Sequence, residues 1–222
     1  MTAAPLLPNI DALAHRTVAQ PLDLVQFFEP GVNLCVWERT PAPALAAWLQ
    51  RVVRMQPVTV SLRLSVDVLD LVPLVRAVPE APERALWAEE MRGLVELFVD
   101  LFEPANVGVR LVTLSTPMCP RFHVDQVGAR MVCTYAGAGT EWLPNALAPR
   151  QLLGRAASGQ GAVEAAVGGV PGAVQQLSPF DVGLLKGERW QGNEGNGLVH
   201  RSPAAEARAG RRLLLTLDTL DE

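Results

Sequence analysis

Residues 121–144 read RFHVDQVGARMVCTYAGAGTEWLP. Arg130–Tyr135 (RMVCTY) has the β-branched and aromatic content of a short strand, and AGAGTEWLP after it is a dense turn signal. The same rhythm of short strand and turn extends to either side. Val107–Leu114 (VGVRLVTL) precedes this stretch; Phe180–Lys186 (FDVGLLK), Gly197–His200 (GLVH) and Arg211–Asp218 (RRLLLTLD) follow it. Short strands separated by turns, without helices between them, predict an antiparallel barrel or sandwich and not βαβ units.

The first half of the chain reads differently. Pro43–Met55 (PALAAWLQRVVRM) puts Leu45, Trp48, Leu49, Val52 and Val53 on one side of a helix. Over Arg84–Phe102, Trp87, Met91, Leu94, Phe98 and Leu101 recur at helical steps, with Glu89, Glu90 and Arg92 opposite, and Pro104 closes the run. Val58–Val66 and Asn33–Arg39 carry short strand patterns. The expected architecture is α+β: a mainly helical layer over residues 1–105, packed on a β-barrel over residues 106–222. Residues 145–177, rich in Ala, Gly and Gln, form an insertion in that barrel, either a flexible surface segment or a lid over its mouth.

The chain has 222 residues, 49% hydrophobic and 19% charged, with a net charge of −4, as expected for a globular protein. No basic tract or long apolar run is present, which argues against nucleic acid and membrane as partners and predicts a soluble, cytoplasmic protein. The three cysteines (Cys35, Cys119, Cys133) form no CxxC pair, so neither a disulfide framework nor a zinc knuckle is expected.

Chemistry concentrates on two of the three histidines. His123 and Asp125 are two apart, and on a strand both would face the same side. His200 lies at the end of another predicted strand. Two imidazoles and one carboxylate can occupy one face of an octahedral ion and leave positions open, the arrangement of non-haem Fe(II) oxygenases. Taken alone, HVD reads better as a hydrogen-bonded pair beside a turn than as a metal site.

The wider run of residues resembles the Fe(II)/2-oxoglutarate-dependent dioxygenase superfamily, in particular its prolyl-hydroxylase-like branch. The resemblance is carried by HVD at 123–125, the strand RMVCTY, GAGTEWLP at 137–144, PFDVGLLKG at 179–187, VHRSP at 199–203 and GRRLLLTLD at 210–218. It implies a double-stranded β-helix (a jelly-roll or cupin-like barrel) with Fe(II) on His123, Asp125 and His200. It also implies 2-oxoglutarate as cosubstrate, with the basic residue about a dozen positions after the second histidine on its distal carboxylate. Arg212 has that spacing, and an arginine fork suits a carboxylate. Arg211 beside it should face the other way. Tyr135, the single tyrosine, offers a hydroxyl to the same carboxylate or an amphipathic ring to the core. GAGTE departs from the branch, where the acidic residue precedes the threonine, and leaves Thr140 and Glu141 without an implied role. Over a longer stretch, CPRFHVD, CTYAGAGTEWLP, PFDVGLLKGERW and GLVHRSP resemble the bacterial domain-of-unknown-function 1826 family.

Two functions follow as expectations. One is an Fe(II)- and 2-oxoglutarate-dependent oxygenase acting on a small-molecule or peptide substrate. The other is a non-catalytic metal-binding protein on the same barrel, in which Cys119 joins the three residues and closes the shell around zinc. Lys186, Arg189 and Trp190 are expected either to line the mouth or to form a solvated turn, and His15 to have no role.

Overall fold

A computed structural model describes residues 14–116, 118–153, 161–203 and 210–220. The ten strands and four α-helices among the described residues are, in chain order, β1 (Ala14–Val18), β2 (Val32–Trp37), α1 (Pro43–Met55), β3 (Thr59–Ser65), α2 (Val72–Arg76), α3 (Pro82–Phe102), β4 (Asn106–Leu114), β5 (Ala129–Ala136), β6 (Glu141–Trp142), α4 (Ala162–Val167), β7 (Gln175–Gln176), β8 (Val182–Lys186), β9 (His200–Arg201) and β10 (Arg212–Leu220). Seven strands form a large sheet in the order β1-β2-β8-β5-β10-β4-β3, and three form a small sheet, β7-β6-β9. All pairs are antiparallel except β1–β2.

Period-two alternation gives the large sheet two different faces. On one, Met131, Cys133, Tyr135, Leu213, Leu215 and Leu217 join a core with Trp48, Leu49, Trp87, Met91, Leu94 and Phe98 of α1 and α3. These are the apolar stripes read from the sequence, and each helix begins with proline at its first positions, where no intrahelical N–H bond is lost. On the other face Leu34, Val112, Val132, Leu185 and Leu214 pack with Trp142 and Leu198 from the small-sheet side.

The expected division near residue 105 is corrected in one respect. β1, β2 and β3 all lie before that point yet are hydrogen-bonded into the large sheet, so the first half contributes strands as well as helices. The β2 and β3 patterns are visible in the sequence; β1 is not, because AHRTV carries the polar His15, Arg16 and Thr17 and is held by its pairing with β2 and by Trp142, whose ring lies 4.8 Å from that of His15. The expected insertion at 145–177 packs on the rest of the fold where it is described. Among its described residues, Val163, Val167 and Ala173 form a third cluster with Phe122, Leu143 and Val199, against the outer side of the small sheet. Residues 154–160 lie outside the described residues. No helix among the described residues is long and apolar enough to cross a membrane.

Candidate metal centre

His123 and Asp125 do not share a strand. His123 makes an isolated antiparallel bridge to His200, its N–H donating to the His200 carbonyl and the reverse, both at 3.0 Å. This places the rings side by side, with centroids 4.5 Å apart. Asp125 follows on an irregular segment whose backbone is caught from the other side: Glu188 N–H donates to the Asp125 carbonyl at 2.8 Å and Arg189 N–H to the Val127 carbonyl at 3.1 Å. Gly187 permits this approach, since a Cβ there would stand 2.1 Å from the Val127 carbonyl oxygen. The convergence inferred from a strand is therefore correct in outcome, but backbone docking produces it.

One donor atom from each of His123, Asp125 and His200 lies within 4.8 Å of the others, and no cysteine joins this group among the described residues. His123 Nε2 is 3.5 Å from Asp125 Oδ1, and His200 Nε2 is 3.1 Å from Oδ2. Each ring places Nδ1 3.0 Å from a carbonyl two residues back, Arg121 for His123 and Leu198 for His200. These contacts assign the Nδ1 proton in both rings and turn both Nε2 atoms to the carboxylate. Lone pairs facing a carboxylate repel unless a proton or a cation stands between them. Carbonyl-anchored imidazoles beside one carboxylate are the donor chemistry of a divalent transition-metal site, and the residues fit such an ion.

Electrostatics agree. Burial by itself would raise the Asp125 pKa, but hydrogen bonding to His123 and His200 and the charge of Arg130 hold the carboxyl well below its usual range. Burial opposes the charged form of His123 as well; the Asp125 carboxylate and the Arg121 carbonyl outweigh it and raise the imidazole pKa.

The centre opens on a cavity of about 70 Å³, also lined by Arg130, Val132, Thr140, Arg212, Leu214 and Thr216. Arg212 is 1% exposed and donates to the Thr134 hydroxyl at 2.9 Å and the Thr140 hydroxyl at 2.7 Å. Arg211 turns away and donates to the Val53 carbonyl of α1 at 3.2 Å. Thr140 thus has a clear place, whereas Glu141 faces outward and accepts from Arg201 at 2.7 Å.

Tyr135 is a correction. It follows Thr134 on β5 and points to the opposite face, buried against Trp87 and Phe180, where burial pushes its phenol well above the ordinary pKa. It does not line the cavity that holds Arg212. Lys186 is likewise no mouth residue. It is buried on the helix side, donates to the Glu29 carbonyl at 2.9 Å and lies 5.3 Å from the rings of both Phe27 and Trp190. Cys119 lines the cavity without joining the donor group.

Arg130 and Asp218 were not singled out by sequence. Arg130 reaches Asp125 Oδ2 with Nη1 at 2.7 Å and forks onto Asp218 with Nε at 2.5 Å and Nη2 at 2.7 Å. The signal was alternation: Arg130, Val132 and Thr134 on β5, and Arg212, Leu214, Thr216 and Asp218 on β10, share the cavity side.

Comparison with known proteins gives a family and a fold. The family described as "Protein of unknown function (DUF1826)" matches residues 19–218. No curated protein matches the chain by sequence. Among solved structures, the chain is similar to a dioxygenase for auxin oxidation in rice, with a TM-score of 0.52 and 13% identity over 93% of this chain and 82% of that one. It is similar also to dioxygenase for auxin oxidation 1 from Arabidopsis thaliana, solved with 2-oxoglutarate, with a TM-score of 0.51 and 12% identity over 94% and 92%.

Proposed function

The chain belongs to the DUF1826 family, and from its buried centre we propose that it is an Fe(II)- and 2-oxoglutarate-dependent dioxygenase. In this reading the two sheets are the halves of a double-stranded β-helix, a jelly-roll or cupin-like barrel, with α1 and α3 as the layer outside it. The fold shared with two dioxygenases, one of them a 2-oxoglutarate complex, supports it. The observation that carries it is the pairing, in one cavity, of the His123–Asp125–His200 donor set with a buried arginine held by two threonines.

His123, Asp125 and His200 would hold the ion. Bound Fe(II) with 2-oxoglutarate would supply dioxygen activation, coupled to oxidative decarboxylation of the cosubstrate to succinate. The chain supplies binding and orientation. The Arg121 and Leu198 carbonyls fix the two imidazole tautomers and ring planes. Arg212 receives the distal carboxylate of 2-oxoglutarate, with the Thr134 and Thr140 hydroxyls setting the angle of its fork. Val132 and Leu214 keep that end of the cavity apolar, which strengthens the ionic contact by excluding water. Met118, an exposed residue of the lining, marks the side from which substrate would enter.

Anaerobic titration of the full chain with Fe(II) and then 2-oxoglutarate tests this reading. A weak visible charge-transfer band that needs both additions, followed by succinate release on exposure to air, is the expected result. Metal binding without 2-oxoglutarate binding would instead make this a non-catalytic metal protein, with zinc the natural competitor for the site.

A further inference from the structure

We infer that Arg130 is a positioning residue for the metal centre, clamped by Asp218 so that the Asp125 carboxylate stays turned toward the two histidines. The inference rests on the metal-centre reading above and deepens it. Arg130 and Asp218 are direct cross-strand partners on β5 and β10. Their bidentate contact (2.5 and 2.7 Å) uses Nε and Nη2, and leaves Nη1 to form an ion pair with Asp125 Oδ2, 2.7 Å away. A guanidinium is planar, so fixing two of its nitrogens on a sheet fixes the third. Asp125 itself sits on an irregular segment with no ladder to orient its side chain. The guanidinium takes up that role: Nη1 ion-pairs with Oδ2, a buried oxygen with no hydrogen-bond partner among the described residues, and keeps the carboxylate turned toward the two histidines.

Charge explains why a second carboxylate is needed. A lone arginine against Asp125 would cancel the charge that attracts a cation. Asp125, Arg130 and Asp218 together carry one net negative charge, the same as an isolated aspartate. Asp218 therefore keeps the site attractive to a divalent ion while anchoring the residue that aims it. Asp218 is not among the residues that line the cavity, so its influence passes through Arg130.

Two opposite signs separate this role from a plain ion pair. If Arg130 merely neutralised Asp125, removing it would tighten metal binding. If it positions Asp125, removing it weakens binding even though a repelling charge is gone. The test uses metal-free full-length protein titrated anaerobically with Co(II), read by calorimetry and by the cobalt visible spectrum. Arg130→Gln should weaken Co(II) binding about 10–100-fold, the range typical for partners that orient a metal ligand, and should change the shape of the saturated cobalt band. Asp218→Asn, isosteric, should weaken it in the same direction by about tenfold, and the double variant should bind no more weakly than Arg130→Gln alone. Thermal melts of the metal-free proteins identify a misfolded variant, and if Arg130→Gln is one, Asp218→Asn decides. Wild-type-like or tighter binding in folded Arg130→Gln or Asp218→Asn overturns the inference while leaving the metal centre intact. Wild-type protein that binds no Co(II) overturns both.

Discussion

On β5 and β10, Arg130, Thr134, Arg212 and Asp218 lie on the side of the sheet that carries the cavity, while their neighbours Met131, Cys133, Tyr135, Leu213 and Leu217 face the helices. Both sides are buried and both contain charge. On the helix side, Arg39 closes on partners of its own: Glu90 at 3.1 Å, the Phe180 carbonyl at 2.8 Å and Cys133 Sγ at 3.4 Å. On the cavity side, three donors converge with their lone pairs toward one another and toward open space. A closed network stabilises a fold; a convergent set of acceptors demands something from outside. Burial of polar groups is common to both sides, and only the direction of their lone pairs distinguishes them.

The largest expected effect that would break this comparison lies at the ligands. Asp125→Ala or His200→Ala should weaken Co(II) binding by more than about 100-fold, beyond the range for orienting partners. The metal-free protein should stay folded with at most a modest fall in melting temperature, since Arg130 keeps its Asp218 partner when Asp125 is lost. Calorimetry and a thermal melt check both halves; a large stability loss with metal binding retained would make the triad structural.

Next, Arg212→Ala should lower 2-oxoglutarate affinity by about 100-fold, as expected for the loss of a charged partner in a dry pocket, with Co(II) affinity unchanged. Equilibrium binding of 2-oxoglutarate to Co(II)-loaded protein reads this. Equal losses of both ligands would show that Arg212 supports the fold of the cavity and not the cosubstrate.

On the helix side the pattern should invert. Glu90→Ala leaves Arg39 half-buried beside Cys133 and should destabilise the protein by about 1–2 kcal/mol, between an exposed and a buried pair, with metal affinity unaltered. Denaturant unfolding with and without Co(II) measures it.

The smallest effect sharpens the same side. Burial, opposed by Glu29, lowers the Lys186 pKa from 10.5 to about 8. Between those values the unfolded chain holds a proton that the folded chain lacks, so unfolding takes up a proton and stability rises with pH. Wild-type protein should therefore gain stability relative to Lys186→Met from about pH 8 to 10. The Phe27 and Trp190 rings beside Nζ favour the charged form and keep this gain small. Chemical denaturation across that pH range would show a flat difference if Lys186 keeps its ordinary pKa.

Much of the fold is legible in the chain because its signals are local. The helical stripe of Pro43–Met55 and the strand pattern of Val107–Leu114 depend on nothing beyond their own residues, and both elements form there. β1, with no apolar pattern of its own, exists only because β2 lies beside it. The same holds within the site. HVD and the later histidine mark three ligand types, and strand alternation separates Arg212 from Arg211. Alternation by itself does not say which face of β5 is the cavity, so the sequence offers Tyr135 to the cosubstrate or to the core alike, and the cover of α1 and α3 over one side decides for the core. The approach of Asp125 to His200 was beyond any local rule: it depends on Gly187 admitting the backbone of residues 125–127 and on the His123–His200 bridge. Side-chain periodicity is written residue by residue, whereas the meeting of distant segments is a property of packing, and Arg130 acquires its part only when Asp218, 88 residues away, arrives opposite it.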